Sequence, residues 1–84
     1  MSLHTDGNAI AGLLEEIFGR DMTATPRRCQ SCGRQNQIGA HLHYGSAGHV
    51  LRCPACGDLA ACLATLPSGY AISLRGTWML SRAG

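Results

Sequence analysis

Lysine is missing altogether from this chain of 84 residues: all seven basic residues are arginine, set against five acidic ones, for a formal net charge of +2. So small an excess excludes a broad, strongly cationic coat for polyanions. Aromatic residues are scarce, with one Trp, one Phe and two Tyr, which leaves little for a platform of rings on which bases stack. No run of eighteen apolar residues exists, so no membrane-spanning helix is expected. There is no glycine-rich phosphate loop and no Ser/His/Asp arrangement that so short a chain could assemble, so an isolated enzyme is not expected either. Residues 1–6 carry neither the basic nor the apolar segment of a secretion signal, and a reducing, cytoplasmic setting is the expectation.

What is present is a pair of cysteine pairs. Cys29-x2-Cys32 and Cys53-x2-Cys56 have twenty residues between them, and a glycine, Gly33 or Gly57, directly follows each. The spacing matches the C-x2-C-x15–20-C-x2-C outline of four-thiolate metal sites. Two residues between thiolates let the chain turn sharply enough for both sulfurs to reach one ion, and the trailing glycine tolerates the positive φ that such a turn needs. N–H groups in the turn can then face the sulfurs and spread their charge. Cys29, Cys32, Cys53 and Cys56 are therefore the expected metal ligands. Zn2+ is the expected ion, because a d10 cation takes four soft donors in a closed tetrahedral shell that has no position for a reacting water. Disulfides would need an oxidising compartment, and a dithiol redox centre would need one pair and a βαβ setting that is absent. Cys62, in an apolar stretch, reads as a small buried hydrophobe rather than a fifth ligand.

At this length an apolar core alone gives thin stability and a metal is a usual staple. The expected organisation is an N-terminal amphipathic helix and linker over residues 1–28, then a four-cysteine domain over 29–84, in a small α+β fold of antiparallel strands and hairpins. Ile10, Leu13, Leu14, Ile17 and Phe18 recur at i, i+3, i+4, i+7 and i+8, one apolar stripe, with Asp6 or Asn8 to cap its start and Gly19 to end it. That stripe either docks on the chain's own sheet, the commoner arrangement, or binds a second copy or another protein. Pro26 predicts an extended approach to Cys29. Residues 38–44 and 49–52 predict two strands joined at Gly45-Ser46-Ala47-Gly48. Residues 59–66 fit a helix or a strand, and the alternation of Tyr70, Ile72 and Leu74 in the next run, which needs a hairpin partner, decides for a strand. Gly76 predicts a bulge or bend, after which residues 77–80 continue the strand.

His41 and His43, two apart on the first strand, and His49 on the opposing one are expected near the hairpin tip, where a second metal site or proton relay would need an acidic neighbour that the sequence does not place there. Arg27, Arg28, Arg34 and Arg52 flank the cysteine pairs and form either a solvated basic rim or a phosphate footprint.

These elements resemble a zinc ribbon with an added N-terminal helix. The likeness is to a family of short bacterial zinc-ribbon proteins of unassigned activity, carried by Asp6-Gly7-Asn8, Ala11-Gly12-Leu13-Leu14-Glu15, Asp21-Met22-Thr23, the run from Cys29 to Gly33, Tyr44-Gly45, the run from Val50 to Cys56, and Leu74-Arg75-Gly76. It spans nearly the whole chain and implies fold and metal rather than activity. A second resemblance is to rubredoxin, whose paired Cys-x2-Cys-Gly turns, the second reading Cys-Pro-x-Cys, hold iron. It implies iron as the alternative ion and electron transfer as the alternative role. Against it, Arg34 rather than an aromatic residue follows Gly33, and the acidic character of rubredoxins is missing. The expected function is a zinc-held accessory module that binds a protein partner or a second copy of itself, with nucleic-acid binding as the alternative.

Overall fold

The computed structural model describes residues 5–45 and 47–82. Residues 1–4, on which most of the expectation about secretion rests, and Ser46 of the hairpin turn lie outside the described residues. The described residues form a small α+β fold of one short helix and two antiparallel sheets. The larger sheet has five strands, in the order β1 (Thr5–Asp6), β4 (Leu42–Gly45), β5 (His49–Arg52), β6 (Leu59–Leu66) and β7 (Gly69–Leu74). The smaller has three, β3 (Gln35–Gln37), β2 (Pro26–Arg28) and β8 (Thr77–Trp78).

The helix, α1 (Ala11–Phe18), is preceded by a 3-10 turn over Gly7–Ile10. The Asp6 carboxylate caps that turn by accepting the Asn8 N–H at 3.1 Å. Gly19, left-handed at φ 73°, ends the helix by donating its N–H to Glu15 O. Eight residues are too few to hold a helix in water unaided, so its persistence depends on the stripe it buries. Ile10 and Leu14 enter a core with Met22, Ile38, Leu51, Ala60, Ala61 and Leu63, while Leu13, Ile17 and Phe18 pack half-buried against it. Phe18 also stacks on Trp78, ring centroids 6.3 Å apart. The stripe thus docks on the chain's own sheet. Ile10 and Leu14, expected as partner-binding residues if the stripe faced outward, are closed to a partner at 4% and 0% exposure.

Residues 59–66 form the strand that the hairpin argument favours, paired on both sides by β5 and β7. The strand expected over residues 38–44 is shorter. Ile38–Ala40 make a 3-10 turn instead, because this stretch is the corner between the two sheets: Ile38 must plunge into the core, and Gly39 passes under the 22–25 loop with its N–H on Thr23 O at 2.8 Å. Gly76 is a bend at φ 78°, as expected, but the strand does not continue to residue 80. After the bend Thr77 and Trp78 change sheets and pair with Arg28 and Arg27. No helix among the described residues is long and apolar enough to cross a membrane.

Two glycines give opposite expectations. A Cβ on buried Gly7 would run into the carbonyl oxygen of Ile38, whereas one on Gly12 in α1 would meet nothing. Gly7→Ala is expected to cost roughly 1–3 kcal/mol, the usual range for overpacking, and Gly12→Ala to add roughly 0.5–1 kcal/mol through helix propensity. Urea midpoints of the two variants, compared at a fixed metal concentration, check both signs.

Candidate metal centre

Each cysteine pair begins where a strand stops: Cys29 follows β2 and Cys53 follows β5. The two turns then repeat one another bond for bond. Cys29 N donates to Arg34 O at 2.9 Å and Gly33 N to Cys29 O at 3.1 Å; Cys53 N donates to Asp58 O at 2.9 Å and Gly57 N to Cys53 O at 2.8 Å. Gly33 and Gly57 stand at φ 75° and 81°, the left-handed region that a side chain makes costly. In each turn an N–H two residues on, of Ser31 or Ala55, points at the first sulfur at 3.4 Å. The sequence repeat is therefore a structural repeat, built to hold sulfur.

The four sulfurs of Cys29, Cys32, Cys53 and Cys56 all lie within 4.8 Å of one another. Cys29 Sγ is 3.6 Å from Cys56 Sγ, and Cys32 Sγ is 3.7 Å from Cys53 Sγ. Both separations far exceed a disulfide bond of about 2.05 Å, and all four thiols are free. They come close to the roughly 3.8 Å edge of a tetrahedron whose centre is about 2.3 Å from each sulfur, the metal–thiolate length. Cys29 and Cys53 are buried, and Cys32 and Cys56 open to solvent, so an ion could enter from one side. Among the described residues no other group of three or more metal-ligating side chains comes together.

The electrostatics favour a cation. The N–H groups of Cys32 and Ser31 bring the Cys29 thiol down to about 6. At Cys53 burial pushes the thiol up, but N–H groups of Cys56 and Ala55 outweigh it and the net direction is down. Cys56 moves the other way, to about 11: the Asp58 N–H favours its thiolate, but burial and the three neighbouring sulfurs prevail. Four thiols this close cannot all ionise until a positive charge sits among them.

Of the arginines expected on a basic rim, Arg28 and Arg34 are exposed, and Arg52 is exposed with Nη1 donating to Gly57 O at 3.0 Å. Arg27 is a correction. It is 1% exposed, and its guanidinium donates to Arg75 O, Leu59 O, Gln30 Oε1 and His41 Nε2. Four of its five N–H donors are engaged and the group is closed off from a phosphate. The signal was present in the alternation of strand side chains: with Arg28 outward, its neighbour on β2 must point in.

The histidines divide. His43 and His49 do meet beside the hairpin, His43 Nε2 to His49 Nδ1 at 2.9 Å, with His43 Nδ1 at 2.6 Å from Thr5 Oγ1. His41 does not join them. It ends the 38–40 turn, fully buried, and hydrogen-bonds Gln37 O through Nδ1 at 2.9 Å and Arg27 through Nε2 at 3.1 Å. A guanidinium only donates and a carbonyl only accepts, so His41 is neutral with its proton on Nδ1. Cys62, half-buried in mid-sheet opposite Val50 and Ser73, is no part of the sulfur cluster. Asp58, Gln30 and Ser31 carried no motif: Gln30 Nε2 and Ser31 Oγ, from the first turn, both donate to Asp58 Oδ2 on the second.

Burial, with a smaller contribution from the Arg27 charge, holds His41 below its ordinary value of 6.5. An unfolded chain takes up this proton as the pH falls through about 6.5, while the folded chain does not. The contribution of His41 to stability is therefore complete above that value and declines below it. Long-range 1H–15N spectra at pH 6 are expected to show His41 still neutral and Nδ1-protonated, and an imidazolium signal there would contradict the buried Arg27–His41 bond.

No curated protein and no solved structure matches the chain. A family model does, over residues 1–84, that of a family of unknown function, DUF6510. The whole chain, four-cysteine site included, thus belongs to DUF6510.

Proposed function

We propose that the four cysteines hold Zn2+ as a structural ion, that the fold is a zinc ribbon with a helix docked on it, and that the chain is a non-catalytic accessory module of the cytoplasm that binds another protein. The observation that carries the metal half is the duplicated turn, with an N–H aimed at the first sulfur of each pair and four sulfurs spaced for one tetrahedral ion. Zinc suits this donor set because it needs no more than four thiolates and no redox partner. A structural zinc contributes about 10–16 kcal/mol of apparent binding free energy in finger peptides near neutral pH, more than the whole stability of most small domains.

The protein-binding half is supported by what the helix leaves uncovered. Tyr70, Ile72 and Leu74 share a sheet face with their partners Thr65, Leu63 and Ala61, yet stand 38%, 41% and 42% exposed. Arg75 N bonds inward to Ala60 O, so by antiparallel alternation the backbone edges of Tyr70, Ile72 and Leu74 face outward. No charge or proline blunts this edge. Ile72 also borders a groove of about 640 Å3 with Tyr44, Val50, Cys62 and Ala71 on its walls. An extended segment of a partner can pair with β7 and place side chains in that groove. Nucleic-acid binding has less support with Arg27 buried, and a titration at two salt levels is expected to stay flat.

Elemental analysis of protein purified without added metal is expected to give a zinc ion per chain and no iron, in a colourless solution, and a strong chelator is expected to collapse the β-sheet circular dichroism. Iron would transfer the site to electron transfer, and an unchanged spectrum after complete stripping would end the structural role. For the surface, affinity recovery from the native cells is expected to yield a partner with the wild-type chain and none with Ile72→Lys, whose circular dichroism should match wild type.

A further inference from the structure

We propose that Arg27 is a positioning residue of the metal centre, acting through Gln30 and Asp58 to tie both cysteine turns to the core; this rests on the metal reading above. The guanidinium sits where the two sheets meet. Nε donates to Arg75 O at 2.9 Å, Nη1 to His41 Nε2 at 3.1 Å, and Nη2 to Leu59 O at 3.4 Å and to Gln30 Oε1 at 2.6 Å. Three of these acceptors belong to the frame of the fold. The fourth, and the shortest bond, belongs to the residue directly after Cys29.

Gln30 continues the line. Its Nε2 donates to Asp58 Oδ2 at 2.9 Å and to Leu59 O at 3.0 Å. The amide thus has a cation at its oxygen and a carboxylate at its nitrogen, which fixes its orientation and strengthens both bonds. Asp58 closes the circuit. Its carboxylate accepts from Gln30 and Ser31 on the first turn and from its own neighbour Leu59 N at 2.8 Å, while its carbonyl takes Cys53 N on the second. One carboxylate therefore staples the turns together, and one amide connects it to a guanidinium that cannot move without breaking three bonds into the core.

The chain's path respects this knot. A Cβ on Gly76 would come within 2.5 Å of Arg28 O and 3.1 Å of both Arg27 Nη2 and Gln30 Oε1. The crossing from β7 to β8 is a glycine because its φ is 78° and a Cβ would strike Arg28 O, with the Arg27–Gln30 bond lying just beside it. A buried arginine with no carboxylate of its own is expensive to keep, and holding sulfur donors in place is a use that accounts for it. Residues in contact with metal ligands commonly shift metal affinity 10–100-fold when removed.

The test is competition for Co2+ against a chelator of known affinity, on the full chain, read by thiolate-to-cobalt absorbance. Gln30 is exposed and outside the core, so Gln30→Ala should fold, and circular dichroism and amide dispersion confirm that. It is expected to bind Co2+ about tenfold more weakly than wild type. Arg27→Met is expected to lose at least as much, and the double variant no more than Arg27→Met alone, because both cuts sever one line. Should Arg27→Met fail to fold, Gln30→Ala decides. Gln30→Ala within twofold of a cobalt-binding wild type, or fully additive losses in the double variant, would overturn the proposal and leave the metal reading standing. A wild-type chain that takes up no cobalt overturns both.

Discussion

Four cysteine sulfurs held within 4.8 Å are the constraint on which the other parts of this fold depend. Left to themselves they conflict: the N–H groups that stabilise a thiolate at Cys29 draw it down to about 6, while desolvation and then the neighbouring sulfurs drive Cys56 up to about 11 against the pull of the Asp58 N–H. A divalent cation at the centre would outweigh those repulsions by its attraction to every thiolate. The backbone is already arranged for that outcome, since each turn spends a left-handed glycine and an N–H···S contact on a geometry of no use to a neutral thiol. Two copies of one turn meeting face to face is what a tetrahedral ion requires.

The position of this cluster explains why the chain needs it. Cys29 leaves β2 of the three-stranded sheet and Cys53 leaves β5 of the five-stranded one, so an ion shared between them joins the sheets. The apolar core that would otherwise do so is small: Ile10, Leu14, Met22, Ile38, Leu51 and Leu63 surround two alanines beneath an eight-residue helix. Hydrophobic burial scales with the area removed from water, and alanines contribute little. The remaining ties between sheets are Trp78 of β8 against Phe18 and the core, the chain crossings at Ile38–Ala40 and Gly76, and Arg27 with its four acceptors. All buried side-chain polar atoms among the described residues have partners. Hydrogen bonds, and an ion wherever the four sulfurs hold one, would thus take over work that apolar area does in larger domains.

The elements legible in the sequence were those whose signal is local. Cys-x2-Cys-Gly fixes its own turn, the stripe from Ile10 to Phe18 fixes a helix face, and the alternation of Tyr70, Ile72 and Leu74 fixes a strand. Illegible were elements whose reason lies elsewhere in the chain. Gln35–Gln37 is a strand only because β2 pairs with it, and nothing in Gln-Asn-Gln predicts one. Ile38–Ala40 looks like more strand until the loop at Thr23 closes over Gly39. Arg27 reads as a surface charge because it stands with Arg28 beside the first cysteine pair, although strand parity separates the two at once. His41 followed it inside, because a neutral imidazole nitrogen is one of few side-chain groups able to accept from a buried guanidinium without adding a charge.

The helix also decides which apolar surface stays open. Had the stripe stayed open, the natural docking surface would have been a helix face, read as anchors at Ile10, Leu14 and Phe18. Spent on the sheet, the stripe packs with Leu51, Ala61 and Leu63 but leaves β7 open, where the nearby Glu16 carboxylate raises the Tyr70 hydroxyl above its ordinary value. Beyond that contact Ile72 and Leu74 stay open, on a strand whose outward backbone groups are those of the same residues. An apolar face alone would accept many shapes. An apolar row joined to a line of unpaired strand donors and acceptors would favour an extended chain in one register, since a slip of one residue would turn that chain's side chains to the opposite face. As a docking surface the exposed edge would therefore be more specific than the helix stripe, and the short helix is what leaves it exposed.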